Sequence, residues 1–275
     1  MKTPVDLKFK NRTFAQNLGL GSCLAFIAGV TNSVAFLAFG GYVSHISGNT
    51  TRAAVEYSEG HFFVAGVFFA AIFFFMLGST TTTMLLRGHT IDSRKVTFSP
   101  PLIIEALIIG FVAYRAASSG KTIFTLISSF DSIYVHLLSF SMGMQNAILR
   151  QASGAIVRTT HVTGMATDMG IAIGTALVGV ILDVKKLLTL EKQVPINYLQ
   201  FSLDEVRYFW AKFKIEQFFI HFSLFLSFTV GCGFGAFGFL TFAFHVLIGP
   251  VIILLSVAFI ELRSWRKRTV NELDI

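Results

Sequence analysis

Apolar residues in this chain gather into runs long enough to cross a bilayer, which takes about 20 residues of helix, near 15–39, 61–86, 101–117, 126–149, 217–240 and 244–262. A seventh run, 165–182, is ambiguous by length. The breaks between runs are polar and short, except for a linker at 183–216. Within it, Ser202 and Glu205 form a capping box ahead of Leu203, Val206, Phe209, Trp210 and Phe213, which alternate with Arg207, Lys212 and Lys214. That is the composition of a helix lying on an anionic leaflet. The pattern predicts an all-α, polytopic membrane helix bundle.

Composition agrees. Hydrophobic residues make up 53% of the chain and charged residues 13%, with 31 Phe among 275 residues, whereas soluble domains are about a quarter charged. The net charge of +7 does not point to nucleic acid, because the basic residues sit in the breaks between apolar runs and report topology. Cytoplasmic loops collect Lys and Arg. Six spans with both termini inside place 19 basic residues on the cytoplasmic side, leaving only Arg52, Arg115 and Lys121 outside. Counting 165–182 as a span gives 9 inside against 13 outside. The charge pattern thus predicts six transmembrane helices, with 165–182 a re-entrant or interfacial helix whose Gly170-x-x-x-Gly174 spacing allows close packing. The first run, from Leu18 to Phe39, is too long for a signal-peptide core and reads as a retained span.

A polar motif occurs twice. Gly29-x-x-Asn32 is followed by Ser44-His45-Ile46-Ser47-Gly48, and Gly143-x-x-Asn146 by Thr160-His161-Val162-Thr163-Gly164. Because each set holds three spans, an odd number, the second set enters the membrane in the opposite sense. The expected organisation is a single membrane domain, 1–275, with inverted repeats at about 15–117 and 126–262. Short helices follow each motif, Thr50 to Glu59 outside and Thr163 to Leu182 inside. Spans two and five both open with Phe-Phe (Phe62-Phe63 and Phe218-Phe219) and carry Gly78 and Gly235 later.

These elements supply the candidate path: Gly29, Asn32, Ser44, His45, Ser47, Gly48, Asn49 and Thr50 from the first copy, and Gly143, Gln145, Asn146, Thr160, His161, Thr163 and Gly164 from the second. An Asn in hydrocarbon needs a partner and a Gly admits another backbone, so interhelical bonding competes with ligand binding as the explanation. N-capping accounts for some of the loop hydroxyls. Glu105, in the otherwise apolar Pro101-Leu-Ile-Ile-Glu105-Ala-Leu-Ile-Ile, joins the set as an intramembrane carboxyl. It is read as a proton or cation ligand or as the partner of His136. Asp131, Arg150, Arg158 and His221 are weaker candidates.

No catalytic constellation, cofactor motif or metal site emerges. Ser47 with His45 or His136 lacks a nucleophile-elbow context, and no helix carries His at i and i+4. Cys23 and Cys232 lie inside apolar runs, as packing residues do.

Laid out together, Ala28-Gly29-x-x-Asn32, Phe36-Leu37, Gly41, Ser47-Gly48-Asn49-Thr50, Met142-Gly143-Met144-Gln145-Asn146-Ala147, Arg150, Thr159-Thr160 and Val162-Thr163-Gly164 resemble the YoaK-like family of bacterial integral membrane proteins, a domain of unknown function. The resemblance runs from about Leu18 to Leu262. It implies a multi-pass protein of the bacterial cytoplasmic (inner) membrane and no particular substrate. The family pattern commonly has Asp where this chain has Asn32. The expected function is transport of a small solute or ion by a permease, as a monomer or a homodimer. A non-transporting scaffold or sensor is the alternative, with an intramembrane hydrolase behind it.

Overall fold

The computed structural model describes residues 14–88, 97–121, 129–152, 160–190 and 215–273. Helix is the only regular structure among them: α1 (Phe14–Phe39), α2 (Ile46–Ser58), α3 (Phe62–Gly88), α4 (Ser99–Ser118), α5 (Ser129–Ala152), α6 (Val162–Leu190), α7 (Ile215–Phe242), a 3₁₀ turn (Ala243–Leu247) and α8 (Ile248–Leu273). The helix expected beyond Ser202 and Glu205 lies outside the described residues, as do Arg158 and Thr159. The helix expected to end at Leu182 runs on, since α6 continues to Leu190. Asp183, Lys185 and Lys186 end the apolar run, yet none of them stops a helix as Gly or Pro would.

Five stretches are long and apolar enough to cross a membrane: Ala15–Phe39, Phe62–Leu86, Ser99–Ser118, Val162–Gly179 and Phe218–Arg266, the last containing parts of two helices. α5 has the length, at 24 residues, but is not among the five. Its His136, Ser139, Ser141, Gln145 and Asn146 dilute its hydropathy, and the last three are tolerated because the protein covers nearly all of its second half.

The chain forms two compact units, one running up to Thr160 and resuming at Leu226, the other His161–Phe225. In the first unit side-chain contacts give the helix directions. The Phe39 ring lies 5.9 Å from Tyr134 and Gln145 Nε2 donates to the Leu24 carbonyl at 2.6 Å, so α1 and α5 are antiparallel. His136 meets the Val67 carbonyl at 3.2 Å, Ser79 donates to Gly143 at 2.9 Å and Gln151 to Thr83 at 3.2 Å, so α3 and α5 run parallel. Ser99 Oγ donates to the Ala258 carbonyl at 2.8 Å, while Gly110 lies against Val251, which makes α4 and α8 antiparallel. Phe244 in the 3₁₀ turn stands 6.1 Å from Phe39, bringing the start of α8 to the end of α1. One end of this unit thus collects the ends of α1 and α4, the starts of α3, α5 and α8, and α2 through its packing on α3. Phe73, Leu107, Phe237 and Leu240 project outward from the unit, as lipid-facing residues do.

α2 is held by its ends. Gly60, at φ +84, lets His61 N bond the Glu56 carbonyl at 2.8 Å and Gly60 N bond Tyr57 at 3.1 Å, the paired bonds of a Schellman stop. The buried Glu56 carboxylate accepts from Arg52 Nε at 2.6 Å and meets His61 Nδ1 at 3.0 Å. Burial alone would raise this carboxyl, but the bonds and charges of Arg52 and His61 outweigh it and hold the group below the usual glutamate range. A carboxyl depressed in the folded state contributes stability above its unfolded value and loses it as pH falls through the folded one. The unfolding temperature in detergent is therefore expected to drop on the acid side of the glutamate range, and Glu56→Gln to flatten that limb. Coincident profiles for parent and variant would deny the clamp any role.

Candidate functional site

Both copies of the duplicated motif build the same latch. In the first, Asn32 Oδ1 accepts from Val43 N and Ser44 N, each at 3.3 Å, and from Ser44 Oγ at 3.1 Å. In the second, Asn146 Oδ1 accepts from Thr160 N at 3.3 Å and Thr160 Oγ1 at 3.1 Å, while its Nδ2 donates to the Met142 carbonyl at 2.8 Å and contacts Thr160 Oγ1 at 2.8 Å. Each Asn thus reaches from a buried helix to the Ser or Thr just before the next helix. The groups that would be costly unpaired in hydrocarbon satisfy one another. Asn49 extends the first latch, its Nδ2 donating to the Tyr42 carbonyl at 2.7 Å.

His follows the latched residue in both copies for a packing reason. His45 precedes α2 and His161 precedes α6, and each carbonyl accepts the helix's first bond, from Asn49 N at 2.9 Å and from Met165 N at 3.0 Å. Each ring folds onto the glycine three residues on, so a Cβ at Gly48 or Gly164 would collide with it. At the start of α2 the capping role expected of the loop hydroxyls is not filled. His45 makes no side-chain cap bond, and Thr50 and Thr167 bond back into their own helices, to Ile46 at 2.9 Å and Thr163 at 2.9 Å. Ser47 Oγ lies 3.2 Å from His45 Nε2, but among the described residues no carboxylate is bonded to that ring, so the pair lacks an orienting acid. Thr163 is exposed.

The glycines make two matching crossings. A Cβ on Gly143 would run into the Phe75 carbonyl and one on Gly78 into the Phe140 carbonyl. Likewise Gly29 faces the Phe228 carbonyl and Gly231 that of Phe26. All four helices carry Phe-x-x-Gly: Phe26 to Gly29, Phe75 to Gly78, Phe140 to Gly143 and Phe228 to Gly231. α1 and α7 therefore cross as α5 and α3 do. By its contacts the counterpart of Gly78 is Gly231, one turn before the expected Gly235, which packs against Val30. Gly170 and Gly174 have nothing within reach of an added Cβ, so their spacing makes no close contact among the described residues.

Besides Asn17 Oδ1 and Asn49 Oδ1, further buried polar atoms are left unpartnered among the described residues. Thr31 Oγ1 on α1, Glu105 Oε1 and Oε2 on α4, and Ser139 Oγ, Ser141 Oγ and Gln145 Oε1 on α5 are all buried without a hydrogen-bond partner among the described residues. α5 packs against both α1 and α4. Such atoms ask for water or a polar ligand. Thr31, Ser139 and Ser141 were not among the residues expected from the motif, although hydroxyls at i and i+2 in an apolar run were a readable signal. The expected pairing of Glu105 with His136 is not made, since His136 bonds Val67 and stacks on Phe74 at 5.1 Å. Asp131 lies 3.7 Å from Lys121, Arg150 is exposed, and in the second unit His221 lies 3.6 Å from Asp168. Ligand atoms of Glu56, Glu59 and His61 come within 4.8 Å of one another, but Arg52 is already paired with Glu56.

Glu105 breaks a second likeness. Pro101-x-Ile103-Ile104-Glu105 on α4 is matched by Pro250-x-Ile252-Ile253-Leu254 on α8, so the carboxyl stands where the antiparallel partner helix has a leucine.

Residues 20–260 match the family described as a protein of unknown function, DUF1275. Over 174 residues the chain is 32% identical to a UPF0700 transmembrane protein of Rhizobium meliloti (strain 1021), covering 62% of this chain and 68% of that one. No solved structure matches.

Proposed function

The chain belongs to the DUF1275 family of proteins of unknown function, and from that premise we propose that it is a permease for a small solute or ion in the bacterial inner membrane. Its path runs along the α1–α5 and α4–α5 seams. The observation that carries this is the set of unpartnered buried atoms on three contiguous helices, from Thr31, Glu105, Ser139, Ser141 and Gln145. A protein needing only a stable membrane core gains nothing from buried hydroxyls and amides without partners.

In this reading six helices cross the bilayer as two inverted triplets, α1, α3 and α4 against α5, α7 and α8. Supporting it are the matched Asn latches, the antiparallel α1 and α5, the two Phe-x-x-Gly crossings and the Pro-x-Ile-Ile segments of the antiparallel α4 and α8. Since α8 runs against α4, α7 must enter the bilayer on the side where α5 left it. The segment between them then makes no net crossing. Both termini face the cytoplasm, as the basic residues favour. Tyr42, Tyr57, Tyr114 and Tyr134 all belong to the opposite end of the first unit, where interfacial aromatics sit.

Single cysteines at Thr31, Ser139 and Ser141, in a background lacking Cys23 and Cys232, test the path. They should react with a small hydrophilic thiol reagent, while cysteines at the equally buried Leu24 and Leu138 should stay unreactive. Silence at all three hydroxyl positions would remove the basis for a path. It would leave the scaffold reading, which the purely structural use of Asn32 and Asn146 favours.

A further inference from the structure

We propose that Glu105 is the proton-binding group of this protein, protonated while buried and deprotonated when the seam around it admits water. Resting on the permease reading, this names the coupling ion of that path. Three observations converge on it.

Glu105 is fully buried and among the described residues neither carboxyl oxygen has a partner. An ionised carboxylate in that setting is too costly to persist, so the buried group must be the neutral acid. From the start of α4 at Ser99, the residue lies about 9 Å along a helix of about 30 Å.

Its surroundings fit a proton better than a metal cation. A cation would gather several oxygens around the carboxylate, yet no hydroxyl or amide group is bonded to it. α4 packs against α8, α5, the 3₁₀ turn and α3. α8 has no titratable side chain between Ile248 and Ile260, and carries Glu261, Arg263, Arg266, Lys267, Arg268 and Glu272 only beyond the level of Ser99. α3 has none between Phe62 and Leu86. On α5 Asp131 is with Lys121, Tyr134 lies by Phe39 at the opposite end of the unit, His136 is with Val67, and Arg150 is exposed near the helix end. His245 in the 3₁₀ turn approaches the Phe242 carbonyl at 3.1 Å. None of these is bonded to Glu105.

Packing does not require the carboxyl. Leu254, at the matching place on α8, is as fully buried, so an apolar side chain suits such a position. One proton site in one half of a pseudo-symmetric protein leaves a single group to load and unload.

The test is modification by dicyclohexylcarbodiimide, an apolar reagent that takes up the acid proton of a carboxyl while the carboxylate oxygen adds to its central carbon, with no leaving group. Full-length protein in liposomes is labelled across about pH 5 to 9 and the adduct located by mass spectrometry. Labelling at Glu105 should fall at least tenfold from the acid to the alkaline end. Glu105→Leu and Glu105→Gln should melt no lower than the parent and carry no adduct at this position. Uniform labelling at every pH would mark a permanently protonated structural acid and overturn the proposal, as would no labelling at any pH. Unfolding of both variants would also overturn it, by showing that the carboxyl is needed for packing. Because no solute enters the assay, a titrating Glu105 in a protein that transports nothing would sink the permease reading and leave the proton site standing.

Discussion

Gly143→Ala and Gly78→Ala are each expected to destabilise the protein by about 1–3 kcal/mol, the usual penalty for forcing extra volume into a packed site, and Gly143→Leu to prevent folding. The added Cβ meets not a movable side-chain end but the Phe75 or Phe140 backbone carbonyl, so relief requires α3 and α5 to separate. Separation would stretch the Ser79 to Gly143 bond of 2.9 Å, making the cost cooperative. Because both glycines serve one crossing, the double Ala variant should cost less than the sum of the singles. Gly29→Ala and Gly231→Ala should behave alike at the matching α1–α7 crossing. Gly233→Ala, with nothing within 4 Å of the new methyl, should be neutral or slightly stabilising through helix propensity. Thermal unfolding in detergent reads all of these. Equal melting of Gly143→Ala and Gly233→Ala would show that the close approach is not a stabilising feature.

The latches should respond to substitution in opposite ways. Asn32 uses only its oxygen, as acceptor of three bonds, so Asn32→Asp keeps every bond and should melt close to the parent. Asn32→Leu strands three donors and should cost about 3 kcal/mol or more, at roughly 1–3 kcal/mol for each group left unsatisfied. Asn146 also donates through Nδ2 to Met142, so Asn146→Asp loses a bond that Asn32→Asp does not and should destabilise measurably. The resemblance to a family that commonly has Asp at the first position makes the same physical sense. If Asp proved equally tolerated at both positions, the donor bond of Asn146 would be without consequence.

The helices were legible because each apolar run is longer than anything a soluble core would use, and the runs near 15–39, 61–86 and 101–117 coincide with α1, α3 and α4 to within a few residues at each end. α5 was legible too, although its polar residues dilute its hydropathy, since the motif inside it drew attention to the segment. The Gly and Asn pairs were visible as repetition. Their use was not, because repetition cannot tell a ligand from a latch. Nor did spacing reveal that the hydroxyls of Thr31, Ser139 and Ser141 would be left without partners, since that depends on which neighbours come within about 3 Å. The Phe-x-x-Gly and Pro-x-Ile-Ile likenesses were present in the chain all along, but two short matches among so many Phe, Gly and Ile residues acquire meaning only when the helices that carry them are seen to touch.

By itself, then, the amino-acid sequence determined a multi-helix membrane protein, the bounds of α1, α3 and α4 to within a few residues and the duplicated polar elements, since hydropathy and repetition are local properties. Tertiary structure alone decided that Asn32 and Asn146 close loops, that four glycines carry two crossings and that Glu105 is buried without a partner. Hydrogen bonding and close packing depend on groups far apart in the chain, such as Leu24 and Gln145, whose meeting no local pattern records.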